Sequence, residues 1–209
     1  MRQYIEEIRK SLEQKCYISA LALALIIPDI GGSIEFPEYR RKDKKDKKGR
    51  EVRDIKAQYS AWFEKWVQPP YVALKNSLDD NLIDQKNYFT GEMCYSLRCQ
   101  FLHEGNSNIR PYGRESGENG VKVEYVFELS INGGEAYGKI TEESNEYIEM
   151  IRYMVRINVE ELCERICKGA EEFCQDRKQD EFRNHVLNII DFSVSPRPFQ
   201  VLCKRKKLI

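Results

Sequence analysis

The 209-residue sequence predicts a mainly α-helical bundle with a small β-hairpin insertion, folded as a single domain over residues 1–209. Three observations lead to that fold. Apolar residues recur at helical spacing through most of the chain. These stripes are bounded by capping residues, glycines and prolines where helices start and stop. The alternation a half-buried strand needs is concentrated around an Asn132-Gly133-Gly134 turn signal, at about 120–141.

A chain of this length can bury one substantial core. Its composition is that of a globular protein: 41% hydrophobic, 33% charged and 11% aromatic, with a formal net charge of zero. That balance excludes a global electrostatic pull toward nucleic acid or membrane, so any polyanion binding has to come from a local patch. Two such patches exist. Residues 40–50 hold eight basic side chains and two acidic ones, Asp43 and Asp46, and the tail ends in Lys204, Arg205, Lys206 and Lys207. There are seven cysteines with no CxxC pair, and the chain opens on a charged amphipathic segment in place of a secretory signal. Both point to reduced thiols and a cytoplasmic location. The longest apolar run, residues 17–27, is about eleven residues, too short to span ~30 Å of hydrocarbon, so a buried helix and no membrane contact are expected.

Taken in order, residues 2–15 set Tyr4, Ile5, Ile8 and Leu12 against Glu6, Glu7, Arg9 and Lys10, an amphipathic helix. Residues 16–27 form a nearly all-apolar helix, ended by Pro28 and a turn through Asp29, Ile30, Gly31 and Gly32. The Gly-Gly pair lacks the strand-before, helix-after setting of a phosphate loop, so nucleotide binding is not expected there. Residues 37–53 read as a solvated, mobile loop. The alternative is a phosphate-contacting loop using Lys44, Lys45, Lys47 and Lys48, with affinity that falls steeply with salt. No aromatics are interleaved in the run, so base stacking is not expected from it. A helix over residues 52–67 carries a core-forming stripe of Ile55, Tyr59, Trp62, Phe63 and Trp66, ended by Pro69-Pro70.

A polar connector with a Tyr88-Phe89 anchor leads to a self-contained helix at residues 90–105. Thr90 supplies the N-cap, Glu92 the first-turn anion and Gly105 the C-cap. Residues 106–120 are a loop, and 121–130 and 135–140 are the arms of the hairpin. Such a hairpin is marginal alone and must pack on the helices or extend a partner's sheet. A long helix is expected from residue 144 or 145 to about 176, broken near Asn158 or Gly169. Cys163, Cys167 and Cys174 share one face of it, but the outer two lie about 16 Å apart along the axis, which suits buried small hydrophobes and not one metal ion. Residues 186–201 read as a strand or extended arm before the basic tail.

Near the end of the 90–105 helix stand Arg98 and His103, and His103 is one of two histidines in the chain. On an ideal α-helix they lie about 140° apart, flanking one groove that the long arginine side chain can close. An imidazole can give or take a proton near neutral pH, and a guanidinium can hold a phosphate and the charge developing on it. With no metal-ligand cluster and no cofactor motif in the sequence, the expected chemistry is metal-independent. RNA is then the natural substrate, since its 2′-OH can act as internal nucleophile. Ser96, Gln100 and Asn106 are the polar neighbours expected to contact it. The plain alternative is an Arg98 ion pair with Glu92, Glu104 or an acidic helix, and a helix-terminal His103 favoured by the dipole. His185 reads as a surface residue.

The stretch Arg98-Cys99-Gln100-Phe101-Leu102-His103 resembles the R-x4-6-H motif of the HEPN superfamily, late in a helix of an all-α bundle and followed by a glycine. The resemblance covers residues 1–105 and the long C-terminal helix, and not the hairpin. It implies a homodimeric, metal-independent ribonuclease whose composite site joins the motifs of two protomers. In it Arg98 would bind and activate the phosphate and His103 would be the general acid or base, leaving a 2′,3′-cyclic phosphate and a 5′-hydroxyl. It also implies a place in a prokaryotic defence or toxin system. The chain departs from the family pattern at Cys99, where active members usually carry Asn, Asp or His. That departure favours a second expectation, a non-catalytic HEPN-like RNA-binding or protein-interaction module. A third is a dimerising protein whose hairpin and C-terminal arm contact a protein partner.

Overall fold

A computed structural model of the chain describes residues 1–68, 89–104, 112–116, 122–134, 136–144, 147–178 and 181–182. Among them are six α-helices: α1 (Arg2–Glu13), α2 (Tyr17–Ala24), α3 (Ile27–Glu35), α4 (Ile55–Trp66), α5 (Gly91–Cys99) and α6 (Val159–Asp176). Two sheets accompany them. One is a ribbon of β1 (Arg40–Lys45) and β2 (Glu51–Arg53); the other joins β3 (Tyr112–Ser116), β4 (Lys122–Ser130), β5 (Ala136–Ser144) and β6 (Tyr147–Asn158). Helix outweighs strand, so the mainly helical expectation holds, with a larger sheet than a single hairpin.

The amphipathic pattern of α1 works as read: Ile5 and Ile8 are buried and Tyr4 and Leu12 pack against the core. The helix closes in a Schellman turn. Cys16 N–H donates to the Ser11 carbonyl at 2.7 Å and Lys15 N–H to that of Leu12 at 2.9 Å, with Lys15 left-handed at φ 59°.

Pro28 starts a helix where a stop was expected. It sits in the first turn of α3, where a missing N–H costs nothing. The expected turn through Gly32 is therefore helical, and the glycine serves packing: a Cβ on Gly32 would stand 2.4 Å from the Gln58 carbonyl oxygen of α4. Tyr17–Glu35 together are long and apolar enough, by length and composition, to cross a membrane. In the fold Ala20, Leu21, Ala24, Leu25 and Ile27 of this stretch are buried in the protein core.

α3, α5 and α6 pack against α4, while α1 and α2 pack against each other and α6. Asp54 caps α4 by accepting from Ala57 N–H at 3.1 Å, and the helix begins at Ile55, three residues after the expected start, because residues 51–53 belong to β2. Tyr59, Trp62 and Phe63 are fully buried, and Trp62 and Trp66 meet Phe173 of α6 edge to face. Phe63 meets Phe89, which in turn meets Phe127 of β4, so one aromatic chain links helices to sheet. α5 and α6 approach α4 at backbone distance: a Cβ on Gly91 would lie 2.4 Å from the Ser60 carbonyl oxygen, and one on Gly169 2.6 Å from that of Trp66.

The β region differs from expectation in three ways. Residues 112–116, expected within a loop, form β3 and pair antiparallel with β4. The strand order is β3-β4-β6-β5, with β6 parallel to β4 and antiparallel to β5. The two arms flanking Asn132-Gly133-Gly134 therefore do not pair as a hairpin; β6 lies between them. Residues 147–158, expected to be helical, form that central strand. Tyr147, Ile151, Met154 and Val155 fit a helical period, but alternate residues Val155 and Ile157 also fit a strand face, and both are fully buried. Two flanking strands settle the ambiguity, since a strand with a partner on each side satisfies its whole backbone. The break expected near Asn158 is real: its side chain accepts from Glu161 N–H at 3.0 Å, capping α6, while Gly169 stays within the helix. The expectations for residues 69–88, 105–111 and 183–209 lie outside the described residues.

Candidate functional site

The last turn of α5, the first turn of α3 and the end of β2 meet at one carboxylate. Asp29 Oδ2 accepts from Arg98 Nη2 at 2.9 Å, and Asp29 Oδ1 accepts from Arg53 Nη2 at 2.7 Å. Arg53 Nη2 also donates to the Asp29 carbonyl oxygen at 2.7 Å. Arg53 Nε donates to Gln58 Oε1, and Gln58 Nε2 donates to the Phe36 and Tyr39 carbonyls at 2.7 and 3.2 Å. Two guanidiniums against one carboxylate leave the cluster with a surplus positive charge. The ion pair predicted for Arg98 exists, but with Asp29; Glu92 instead pairs with Lys56 at 3.0 Å.

The Arg98 side chain is 18% exposed. Its guanidinium carbon lies 5.9 Å from the Tyr95 ring centre, Nη1 faces the Cys99 sulfur at 3.9 Å, and Nε is buried without a hydrogen-bond partner among the described residues. Burial works against the Arg98 charge, but the Cys99 sulfur and the Asp29 carboxylate more than offset it, so the pKa lies above the ordinary guanidinium value. Behind this group the buried Tyr59 hydroxyl donates to the Leu25 carbonyl at 3.2 Å and contacts Cys94 Sγ at 3.4 Å. Burial pushes the Cys94 thiol up to about 12, which makes it a packing group with no nucleophilic role.

α5 does not continue as an α-helix to Gly105. Gln100–Glu104 form a π turn, whose hydrogen bonds run i→i+5. A π turn winds wider and rotates each residue by less than the about 100° of an α-helix, which narrows the angle between Arg98 and His103. His103 is exposed, whereas Ser96, Arg98, Cys99 and Gln100 are half-buried. The two motif residues are thus differently placed: a clamped guanidinium and a solvent-facing imidazole.

Lys44 and Lys45 lie exposed on β1, and Lys47 and Lys48 in the turn that follows. The 37–53 segment, expected to be a mobile loop, is mostly antiparallel ribbon, with Arg40 opposite Arg53 and Arg41 opposite Val52. Arg53 at its root shares Asp29 with Arg98, so the ribbon and the end of α5 are fastened to the same carboxylate. Asn106 and His185 lie outside the described residues. Asp29, Arg53, Gln58 and Tyr95 were not singled out in the sequence. One signal for Asp29 was available: it is the sole charged residue between Lys15 and Glu35.

Among the described residues no group of three or more His, Cys, Asp or Glu side chains could hold a metal ion. A cavity of ≈ 430 Å³ lies elsewhere, between α1 and α6, lined by Arg2, Arg9, Glu171 and Cys174 among others. Arg9 in its wall is already forked between Glu164 at 2.9 Å and Glu171 at 2.6 Å. No protein-family model, no curated protein and no solved structure matches this chain.

Proposed function

We propose that this chain is a metal-independent ribonuclease of HEPN-like type, acting in the cytoplasm as a homodimer. The observation that carries the reading is the contrast at the end of α5: Arg98 held rigid by Asp29, and His103 exposed on a π turn five residues on. A fixed cation and a free proton carrier are what phosphodiester transfer to an internal 2′-OH requires. π turns also recur at functional sites.

In this mechanism one His103 takes the proton from the RNA 2′-OH as its oxygen attacks the adjacent phosphorus. The bond from phosphorus to the 5′-oxygen breaks, and protonated His103 of the partner subunit supplies the proton that the leaving oxygen needs. Arg98 carries the charge that builds on the non-bridging oxygens. The products are a 2′,3′-cyclic phosphate and a 5′-hydroxyl. A second reading, a non-catalytic RNA-binding module, is favoured by one observation: Arg98 is committed to Asp29 and flanked by the Cys99 thiol, where active relatives of the motif carry a polar side chain. End-labelled RNA incubated with the purified chain in EDTA separates the two. The nuclease gives cyclic-phosphate ends that disappear in His103→Ala; RNA retained but uncut by the parent selects the second reading.

A further inference from the structure

The two acidic side chains of the 40–50 run are neutralised within it. Arg41 forks onto Asp43, with Nη2–Oδ2 at 2.6 Å and Nε–Oδ1 at 3.1 Å. Arg50 Nε donates to Asp46 Oδ2 at 2.9 Å. The other Asp46 oxygen accepts from Lys48 N–H at 2.8 Å and Arg50 N–H at 2.9 Å, which with Gly49 at φ 77° closes the turn. Arg41 holds the Asp43 carboxyl below its usual range, and Arg50, chiefly through its backbone N–H, does the same for Asp46. At the root, Arg40 Nη1 donates to the Glu51 carbonyl at 3.1 Å, and Arg53 is locked onto Asp29 and Gln58.

What remains is a lysine comb on a structured arm, with one exposed carboxylate, Glu51, registered opposite Lys45. Lys42, Lys44, Lys45, Lys47 and Lys48 are all exposed, and none makes an ion pair within 4.0 Å among the described residues. Five like charges gathered on one small ribbon repel each other, and a partner of opposite charge relieves that repulsion. β1 alone spans roughly 17–20 Å, enough to follow several phosphates along a strand. A bilayer is the weaker match: Val52 is the single apolar side chain in residues 40–53 and it is half-buried, so the ribbon has nothing to insert. Its root also leads through Asp29 to Arg98, toward the candidate chemistry.

We propose that the β1–β2 ribbon is a docking arm for the sugar–phosphate backbone of RNA, engaged through Lys42, Lys44, Lys45, Lys47 and Lys48 without reading bases. The inference shares its ligand with the nuclease reading and supplies the substrate-holding part of that site. No aromatic residue lies on the ribbon to stack on a base, so contact is electrostatic and independent of sequence.

Binding is measured by fluorescence anisotropy on the full chain carrying His103→Ala, so that bound RNA is not cut, with labelled oligouridylate and oligoadenylate across a salt series. Changing all five lysines to Gln weakens binding at least about tenfold and flattens the salt dependence by up to about 3.5 log units per decade, at about 0.7 for each phosphate no longer neutralised. A control with Lys10, Lys15 and Lys168 changed to Gln, away from the ribbon, retains the parent affinity, and both oligonucleotides bind within a few-fold. Photo-crosslinking of the His103→Ala chain with its five lysines intact to RNA containing a photoactivatable uridine gives a readout that no lysine-variant folding defect can mimic, and adducts at residues 40–50 support the arm. The arm is overturned by unchanged binding in the five-lysine variant, by equal loss in the control, by adducts only outside the ribbon, or by retention on phosphatidylserine vesicles without RNA binding. Ribbon-dependent binding by a chain that cuts no RNA leaves the arm standing and removes the nuclease. Retained kcat with a raised KM in the five-lysine chain bearing the native His103 supports both.

Discussion

Asp29 and Arg98 stand 2.9 Å apart across 69 positions of sequence, and the second oxygen of Asp29 takes Arg53 at 2.7 Å. The carboxylate therefore pins the start of α3 to the end of α5 and to the base of the ribbon. Its side chain is 20% exposed and that of Arg98 18%, so water screens the pair only in part.

Asp29→Asn removes the charge that keeps two guanidiniums together. The expected cost is about 2 kcal/mol, between that of an exposed pair and a fully buried one. It is read as a lower urea midpoint at unchanged slope. Adding Arg98→Met to Asp29→Asn recovers part of the loss, since one of the two facing cations is then gone.

The two motif residues separate activity from stability. His103 is exposed, so His103→Ala changes stability by less than about 0.5 kcal/mol. Under the nuclease reading it lowers the cleavage rate at least about 100-fold. Arg98→Ala lowers both, because it strips Asp29 of a partner as well as the substrate of a phosphate ligand. Urea denaturation and a cleavage assay on the same preparations test the contrast. Equal destabilisation by the two variants overturns it.

Glu35 gives a pH dependence. Its side chain is 3% exposed and accepts from Lys65, Trp66 Nε1 and Arg177, joining α3 and α4 to the end of α6. Burial alone raises its carboxyl pKa, but the three donors and the Lys65 charge outweigh it and the net shift is downward. A depressed folded pKa means stability that is present above the ordinary carboxylate range and lost as pH falls through the folded value. Glu35→Gln is expected to cost about 1–3 kcal/mol at pH 7. The gap between parent and variant closes below about pH 4. Denaturant titrations at several pH values check it; a gap that is constant with pH counts against an ionised Glu35.

Gly169→Ala tests the close approach of α6 to α4. Alanine is the better helix former by about 1 kcal/mol, but its Cβ would stand 2.6 Å from the Trp66 carbonyl oxygen, a backbone atom that cannot rotate away. The clash wins, with an expected loss of about 1–3 kcal/mol and a lower Tm.

Lys15→Gly has the opposite sign. Lys15 holds φ 59° at the end of α1, a left-handed conformation that costs a residue with a Cβ and that glycine adopts freely. A gain of about 0.5–1 kcal/mol in thermal or urea unfolding is expected.

Several features were legible because their causes are local. The α1 stripe, the aromatic face of α4, the Thr90 cap of α5 and the Asn158 boundary all follow from residues within a few positions of each other. Arg98 and His103 stood out for the same reason, a rare histidine at a short fixed distance from an arginine. The π turn between them did not, since nothing in Gln100–Glu104 distinguishes an i→i+5 from an i→i+4 turn before the rest of the fold is in place.

Other features depended on what lies across the molecule. Val155 and Ile157 are buried as alternate residues of a strand only because β4 and β5 flank β6, although the same residues fit a helical period. Pro28 opens α3, and Gly32 is accommodated there, because α4 passes at backbone distance. The basic run became a ribbon with a lysine comb once Asp43 and Asp46 had been taken by Arg41 and Arg50 and Arg53 had been drawn onto Asp29. The sequence by itself determined the helical character of the chain, its caps and its candidate pair, because propensity and capping act between near neighbours. Only the tertiary structure decided that Arg98 is clamped while His103 is exposed, because an ion pair across 69 residues exists only where packing brings α3 and α5 together.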